Sequence, residues 1–270
     1  MMLRELARSA SWSRREPTFQ VTTPRDRFLT VMGRKPVIEA LHDQTLTFDK
    51  ILVSGKARGP EIDTITGMAA SRKVTVEKVS EMKVTAVARS SRHHQGVVAD
   101  VVAPAMQHLS DFCEQRRRGK DWACNVIVLD HVHNPANVGM ILRSATAAGM
   151  DGVVVPHKGT AEIGPVAIKA SAGVAFRASI LRAEDTTEAL AILEQHRFEI
   201  FGLDGGGEPL FDTSLPERAA YILGNESSGL TENARAACDR IVSIPLANGV
   251  ESLNAAVAAS LVAYEVQRNA

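Results

Sequence analysis

The stretch Val126-Ile127-Val128-Leu129-Asp130-His131-Val132-His133-Asn134-Pro135-Ala136-Asn137-Val138-Gly139 reads as a strand, a polar corner and the opening of a helix. A short apolar run rich in β-branched residues suits a buried strand, and the Asn-Pro pair at the corner introduces a helix over Val138–Ala148. The same rhythm runs to the end of the chain. Further strands are expected at Gly152–Pro156, Ala178–Leu181, Phe198–Leu203, Ala220–Leu223 and Arg240–Ile244, with helices at Pro165–Ser171, Thr187–His196, Thr231–Ala237 and Leu253–Gln267. Strands alternating with helices predict an α/β domain over residues 123–270, a parallel sheet with helices on both faces. Ligands of such sheets bind beyond the carboxyl ends of the strands, so the loops that follow strands are where chemistry is sought.

Upstream, residues 28–105 read as a small α/β module. Its helices are expected at Pro36–Leu41 and Glu61–Arg72, and its strands at Lys50–Val53, Val74–Val76 and Gly96–Val102. Residues 106–122 form a linker carrying a basic helix that ends in Arg116, Arg117, Arg118 and Lys120. Residues 1–27 hold six arginines with Ser, Thr and Pro and little apolar periodicity, which reads as a flexible extension. Glu5, Glu16 and Asp26 dilute its likeness to an organelle transit peptide, so the expected location is cytoplasmic.

With 270 residues, 45% of them hydrophobic, the chain can bury large cores, which excludes a disordered tail. No apolar run approaches the roughly 18 residues of a spanning helix, so no membrane role is expected. The three cysteines, Cys113, Cys124 and Cys238, are widely spaced, which argues against a disulfide framework or a zinc knuckle and for core thiols in a reducing compartment. The net charge of zero hides two unlike halves. Residues 1–120 carry 21 Lys+Arg against 13 Asp+Glu, whereas residues 121–270 carry 10 against 18. A basic half beside an acidic one suits a polyanion-binding module joined to something with another task, because phosphate attraction follows local charge.

Three loops carry unusual polar clusters. The first is His131–Gly139, in which Asn137 and Arg143, about one and a half turns apart, are expected to face the same loop region. Asn134 or Asn137 is also a possible helix cap, and Gly139 a close-packing glycine. The second is Gly224-Asn225-Glu226-Ser227-Ser228-Gly229-Leu230, for which a plain turn is the alternative. The third is Pro245–Asn254, where Ser252 would equally serve as the cap of the last helix. Gly202–Gly207 follows a strand but lacks the GxGxxG spacing and is followed by Pro209, so it reads as a loop beside another site rather than a phosphate cradle. There is no GxxxxGK[ST], and the pairs His93-His94 and His131/His133 lack partners at metal-ligand spacing, so no metal is expected.

Together the run Asn134-Pro135-x-Asn137-x-Gly139-x-x-x-Arg143-Ser144-Ala145, then Leu223-Gly224-Asn225-Glu226 with Gly229-Leu230, then Ile244-Pro245-Leu246 with Glu251-Ser252-Leu253-Asn254-Ala255, resembles the three ordered motifs of the SpoU (TrmH) branch of the SPOUT RNA methyltransferases. Gly33-Arg34-Lys35-Pro36-Val37-x-Glu39-Ala40-Leu41 and His94-Gln95-Gly96-Val97-Val98-Ala99 look like the start and end of the ribosomal-protein-like substrate-binding domain that many members carry. The resemblance covers about residues 28–268.

It implies a C-terminal domain with a deep trefoil knot, an obligate homodimer packed through the helices beginning at Val138 and Leu253, and S-adenosylmethionine as methyl donor. Leu203, Gly224, Ile244, Leu246 and Leu253 would hold the donor. Asn137, Arg143, Glu226, Ser252 and Asn254 would form the catalytic group, acting on a ribose 2′-hydroxyl of structured RNA, most simply ribosomal RNA. Arg34, Lys35, Arg92, His93, His94, Arg116, Arg117 and Arg118 are the expected RNA contacts. Three other readings stand beside this one: a tRNA ribose methyltransferase, a catalytically silent RNA-binding ribosome-assembly factor, and a conventional methyltransferase whose donor contacts lie at Asp204–Gly207.

Overall fold

The computed structural model describes residues 27–88, 93–118 and 122–270. All but the last residue of the expected extension lies outside this range, as does Arg92.

The first sheet is built from β1 (Phe28–Met32), β2 (Phe48–Ser54), β3 (Thr75–Val79) and β4 (Val97–Val102), in the order β1-β4-β2-β3. Strand β4 runs antiparallel to both its neighbours, while β2 and β3 are parallel. The helices are α1 (Arg34–His42), α2 (Pro60–Ser71) and α3 (Glu81–Ala88). Two of these elements escaped the sequence reading for physical reasons. β1 is five residues long and buries only Leu29 and Val31, and α3 buries only Val84 and Ala88, which is too little periodicity to register.

The second sheet has seven strands: β5 (Gln107–His108), β6 (Cys124–Leu129), β7 (Gly152–Val154), β8 (Ile180–Arg182), β9 (Glu199–Pro209), β10 (Arg218–Leu223) and β11 (Arg240–Ser243). Their order is β11-β9-β10-β6-β7-β8-β5, and every pairing is parallel. The helices are α4 (Leu109–Arg117), α5 (Pro135–Ala147), α6 (Pro165–Ala170), α7 (Thr186–Gln195), α8 (Glu232–Ala237) and α9 (Ala255–Arg268). Strand β6 shows why both faces are covered. Ile127 and Leu129 join Ile141 of α5 and Val262 of α9 in one apolar cluster, whereas Val126 and Val128 join Leu109 of α4, Leu190 of α7 and Ala234 of α8 in another. Alternate residues point to opposite faces, so a strand apolar at every position must be sandwiched. The expected α/β architecture is the one observed.

One local reading is corrected and one is refined. The stretch 107–117 is not a free linker: Gln107 and His108 pair with Leu181 and Arg182 at the sheet edge, and Leu109, Phe112 and Cys113 are buried. The glycine-rich run 202–207 lies within the bounds of β9, yet the pairing with β11 passes directly from Gly202 to Glu208, so residues 203–207 bulge out of the ladder as a loop between two paired ends. A Cβ on Gly202 would come within 2.6 Å of the Cys238 sulfur, and one on Gly207 within 2.5 Å of the Ile241 carbonyl oxygen. These glycines let β11 lie against β9.

Cys113 and Cys124 are buried thiols, and burial pushes Cys113 up to about 12. No helix among the described residues is long and apolar enough to cross a membrane.

His196, capping the carboxyl end of α7, is buried with Nε2 3.8 Å from Glu114 Oε1. Burial lowers its pKa below the usual 6.5, although Glu114 opposes the shift. The unfolded chain therefore binds this proton more readily, and stability should fall as pH drops through 6.5 toward the folded-state value. Thermal midpoints between about pH 7.5 and about pH 5.5 should decline less steeply in His196→Gln than in the parent. Equal slopes would contradict this.

Candidate active site

The loops after β6, β10 and β11 meet at one side chain. Asn134 caps α5, its Oδ1 accepting from the Ala136 N–H at 2.9 Å, and Pro135 occupies the first helical position, where a missing N–H costs nothing. This fixes the first turn and turns Asn137 inward, where it is 2% exposed. Its amide nitrogen donates to Glu226 Oε1, and its Oδ1 accepts from Asn254 Nδ2 at 3.0 Å. Asn254 is itself the cap of α9, its Oδ1 accepting from the Ala256 N–H at 2.9 Å.

The direction of every bond in this chain is determined. A backbone N–H and a carboxylate oxygen stand at its ends, and each amide passes one donor forward. Three segments separated by 89 and 117 residues are locked into a polarised relay. Asn254→Ala should cost roughly 2 kcal/mol, because it removes the cap and leaves Asn137 Oδ1 buried without a partner. Asn254→Ser retains the cap alone and should recover about half. Chemical denaturation of both variants checks the order.

The β10 loop depends on close approach. A Cβ on Gly224 would sit 2.3 Å from the Gly229 carbonyl oxygen, and Asn225 and Gly229 exchange two backbone hydrogen bonds of 3.0 and 2.9 Å. Gly229 holds φ +68°, a conformation cheap only for glycine. Below the loop, Asp130 is fully buried at the carboxyl end of β6, and its Oδ2 accepts from the Thr231 N–H at 2.8 Å. The sequence offered one signal for this anchor, a carboxylate ending an apolar run.

Arg143 is not beside Asn137. Six residues along a helix turn through about 240° beyond a full revolution, so the buried amide and the guanidinium point differently. Arg143 is exposed on the outer face of α5 with Met140, and it has no hydrogen-bond or ion-pair partner among the described residues. Ser252 is also exposed and is not the helix cap; that position belongs to Asn254, and α9 begins at Ala255. Of the expected donor contacts, Leu203 and Ile244 pack partly against the core, Gly224 and Leu253 are half-buried, and Leu246 is exposed.

The expected RNA contacts divide. Arg34, Lys35 and His93 line a groove of about 950 Å³ with Pro165 and Val166 of α6 and Glu162 just before it. Lys35 is exposed, whereas Arg34 is held by Glu61 at 3.2 Å and by the Gln95 carbonyl oxygen at 3.2 Å. His94 is removed from the contact set: it is buried, and its Nδ1 accepts the Gly96 N–H at 3.0 Å to fix the turn before β4. The arginine run ending α4 lies at the other end of the sheet. Arg116 meets Asp151 at 2.6 Å, and the second oxygen of Asp151 accepts the Asn125 N–H at the amino end of β6. Arg117 pairs with Glu114 at 3.1 Å and Arg118 is exposed. Among the described residues no group of three or more His, Cys, Asp or Glu side chains could hold a metal ion.

Residues 125–264 match the family described as SpoU rRNA Methylase, and residues 30–107 match the family described as RNA 2′-O ribose methyltransferase substrate binding. The chain belongs to the SpoU methylase family. A relative from Mycolicibacterium gilvum, named an uncharacterized tRNA/rRNA methyltransferase, is 33% identical over 243 residues, covering 88% of this chain and 76% of its own. One from Staphylococcus saprophyticus, named for the TrmH family of tRNA/rRNA methyltransferases, is 30% identical over 89% of this chain and 95% of its own. Among solved structures, the SpoU methyltransferase AviRb from Streptomyces viridochromogenes, crystallised with AdoMet, shares the fold at a TM-score of 0.61 and 24% identity, covering 89% of this chain and 90% of that one. An AdoMet-bound rRNA methyltransferase from Sinorhizobium meliloti shares it at a TM-score of 0.62 and 21% identity, covering 90% and 87%.

Proposed function

We propose that this SpoU protein, as a homodimer, transfers a methyl group from S-adenosylmethionine to a ribose 2′-hydroxyl of structured ribosomal RNA. The observation that carries the reading is the relay through Asn137, which joins all three motif loops at one buried amide. Membership in an RNA methylase family and the match of residues 30–107 to a ribose methyltransferase substrate-binding domain support the choice of substrate.

The residues present suit the donor. Ile244, Leu246, Val250 and Leu253 offer an apolar wall, part of it exposed, and the absent side chain of Gly224 lets the Gly229–Leu230 backbone close tightly and shape the neighbouring loop. A neutral adenine needs no charged partner there. Bound at these loops, the donor supplies an activated methyl group. The passage of β11 beside residues 202–209, with its register shift between Ile241 and Val242, supports the trefoil threading expected of the family.

Displacement at carbon requires a positioned ribose, loss of its hydroxyl proton and stabilisation of the developing alkoxide. Glu226, through Asn137 and Asn254, keeps the three loops in register. The Arg143 guanidinium binds the phosphate next to the target, lowering the energy of the alkoxide, while the hydroxyl proton leaves through water or a neighbouring side chain. The exposed position of Arg143 beside Met140, with Val257 and Tyr264 exposed on the neighbouring helix α9, supports a site completed at a contact between two copies. Ser252 lies at the rim. The groove at Arg34, Lys35 and His93 receives RNA, so the first domain selects substrate and the second binds donor. With an aromatic content of 4%, stacking platforms are scarce, and shape with phosphate contact supplies most of the affinity.

Mapping ribose methylation across total cellular RNA with and without this protein tests the reading. One ribosomal mark should disappear. A lost tRNA mark would redirect the substrate, and an unchanged map would leave a silent RNA-binding protein.

A further inference from the structure

We infer that Asn225 is a positioning residue for methyl transfer, acting as a clamp between the first and second motif loops through the backbone carbonyl of His131; this inference rests on the methyl-transfer reading. Asn225 lies between Gly224, whose close approach shapes the loop, and Glu226, which meets Asn137. Its side chain faces two ways. Nδ2 donates to the His131 carbonyl oxygen at 3.0 Å and lies 3.4 Å from His133 Nδ1. Oδ1 accepts from the Ser227 and Ser228 N–H groups at 2.9 and 3.3 Å. The same residue's backbone closes the loop on Gly229.

The partner at the far end is held at a cost. His131 has φ +57°, a left-handed conformation unfavourable by roughly 1 kcal/mol for a side chain of this kind. Its ring leaves no room beside Gly159, where a Cβ would lie 2.6 Å from the imidazole. The residue as a whole is exposed, so burial does not explain the strain. What the conformation accomplishes is to present a carbonyl to Asn225. Glu226 follows directly, so a slack clamp would release the carboxylate that orients Asn137, without removing any atom from the donor wall.

The chemistry selects asparagine. Aspartate keeps the acceptor for Ser227 and Ser228 but sets a second acceptor against the His131 carbonyl, so Asn225→Asp separates the turn from the clamp. In this variant kcat should fall at least about thirtyfold while donor Kd, measured by calorimetry with S-adenosylmethionine, changes less than about threefold. His131→Gly keeps the carbonyl and relieves the strain, and should stay within about threefold of the parent kcat. His131→Val disfavours the left-handed backbone and should behave like Asn225→Asp. If Asn225→Asp does not fold, the two His131 variants decide.

Turnover of Asn225→Asp within threefold of the parent, or an equal loss in His131→Gly and His131→Val, would overturn the clamp, the second result assigning the role to the ring. If the parent itself methylates no RNA, the functional reading has failed, and amide hydrogen exchange across residues 224–230 decides the clamp separately. Faster exchange in Asn225→Asp and His131→Val, but not in His131→Gly, supports it; exchange equal to the parent in all three variants overturns it.

Discussion

Arg143→Lys should lower methyl transfer at least about a hundredfold while leaving donor affinity and thermal stability near those of the parent. The separation follows from where the residue sits. Its guanidinium is exposed on α5 and bonded to nothing among the described residues, so the fold loses little, about 0.5 kcal/mol or less. The reaction loses more. A planar fork that grips a phosphate with two parallel N–H groups is replaced by a mobile point charge that fixes neither distance nor direction. Near-normal turnover in Arg143→Lys would refute this role. RNA affinity should weaken only modestly, since the charge is retained; a gel-shift assay beside the turnover assay shows which step is lost.

Gly224→Ala should abolish donor binding, by about a hundredfold or more, and destabilise the protein by roughly 2–3 kcal/mol. The added methyl would stand 2.3 Å from the Gly229 carbonyl oxygen and 2.5 Å from the Leu230 nitrogen, and both are backbone atoms. A flexible side chain could move aside, but here the loop itself must open, breaking the Asn225–Gly229 pair and displacing Glu226 from Asn137. Gly205→Ala is the control, because its Cβ would meet nothing within 4 Å. Calorimetry with the donor and a thermal melt on both variants should show a large loss in the first and little change in the second. Similar behaviour of the two would remove the close approach at Gly224 from the account.

The parallel sheet was legible because its strands are apolar at successive positions, as Val126–Leu129 shows, and such runs fit only a sheet covered on both faces. The three motif loops were legible for the same reason: polar clusters stand out where an apolar strand stops. Direction was harder to read. Spacing alone put Asn137 and Arg143 on one side, yet the cap at Asn134 and the helical turn send one inward and the other outward. Ser252 read as the cap of the last helix; the structure gives that place to Asn254, whose Oδ1 accepts from the Ala256 N–H.

Charge proved a coarse guide as well. Arg34 and Arg116 have acidic partners, and Arg72 donates to the carbonyl oxygens of Leu41 and Asp43 at 2.8 and 3.0 Å, so part of the basic surplus serves the fold. His94, adjacent to His93 in sequence, is buried because its ring closes a turn, which a pair of neighbouring histidines does not reveal. The glycines of β9 serve two ends: residues 203–207 bulge out of the ladder as a loop, while Gly202 and Gly207 at its ends let β11 pass closely, which a glycine run alone does not reveal. Asn225 went unassigned because its worth lies in a contact with the backbone of a residue 94 positions away.

The central claim is tested most directly by incubating the purified protein with methyl-labelled S-adenosylmethionine and unmodified ribosomal RNA, digesting the RNA to nucleosides and identifying the labelled product by mass spectrometry. The account predicts a single 2′-O-methylnucleoside, absent when Arg143→Lys replaces the parent. Label on a nucleobase, or transfer undiminished in Arg143→Lys, would contradict it.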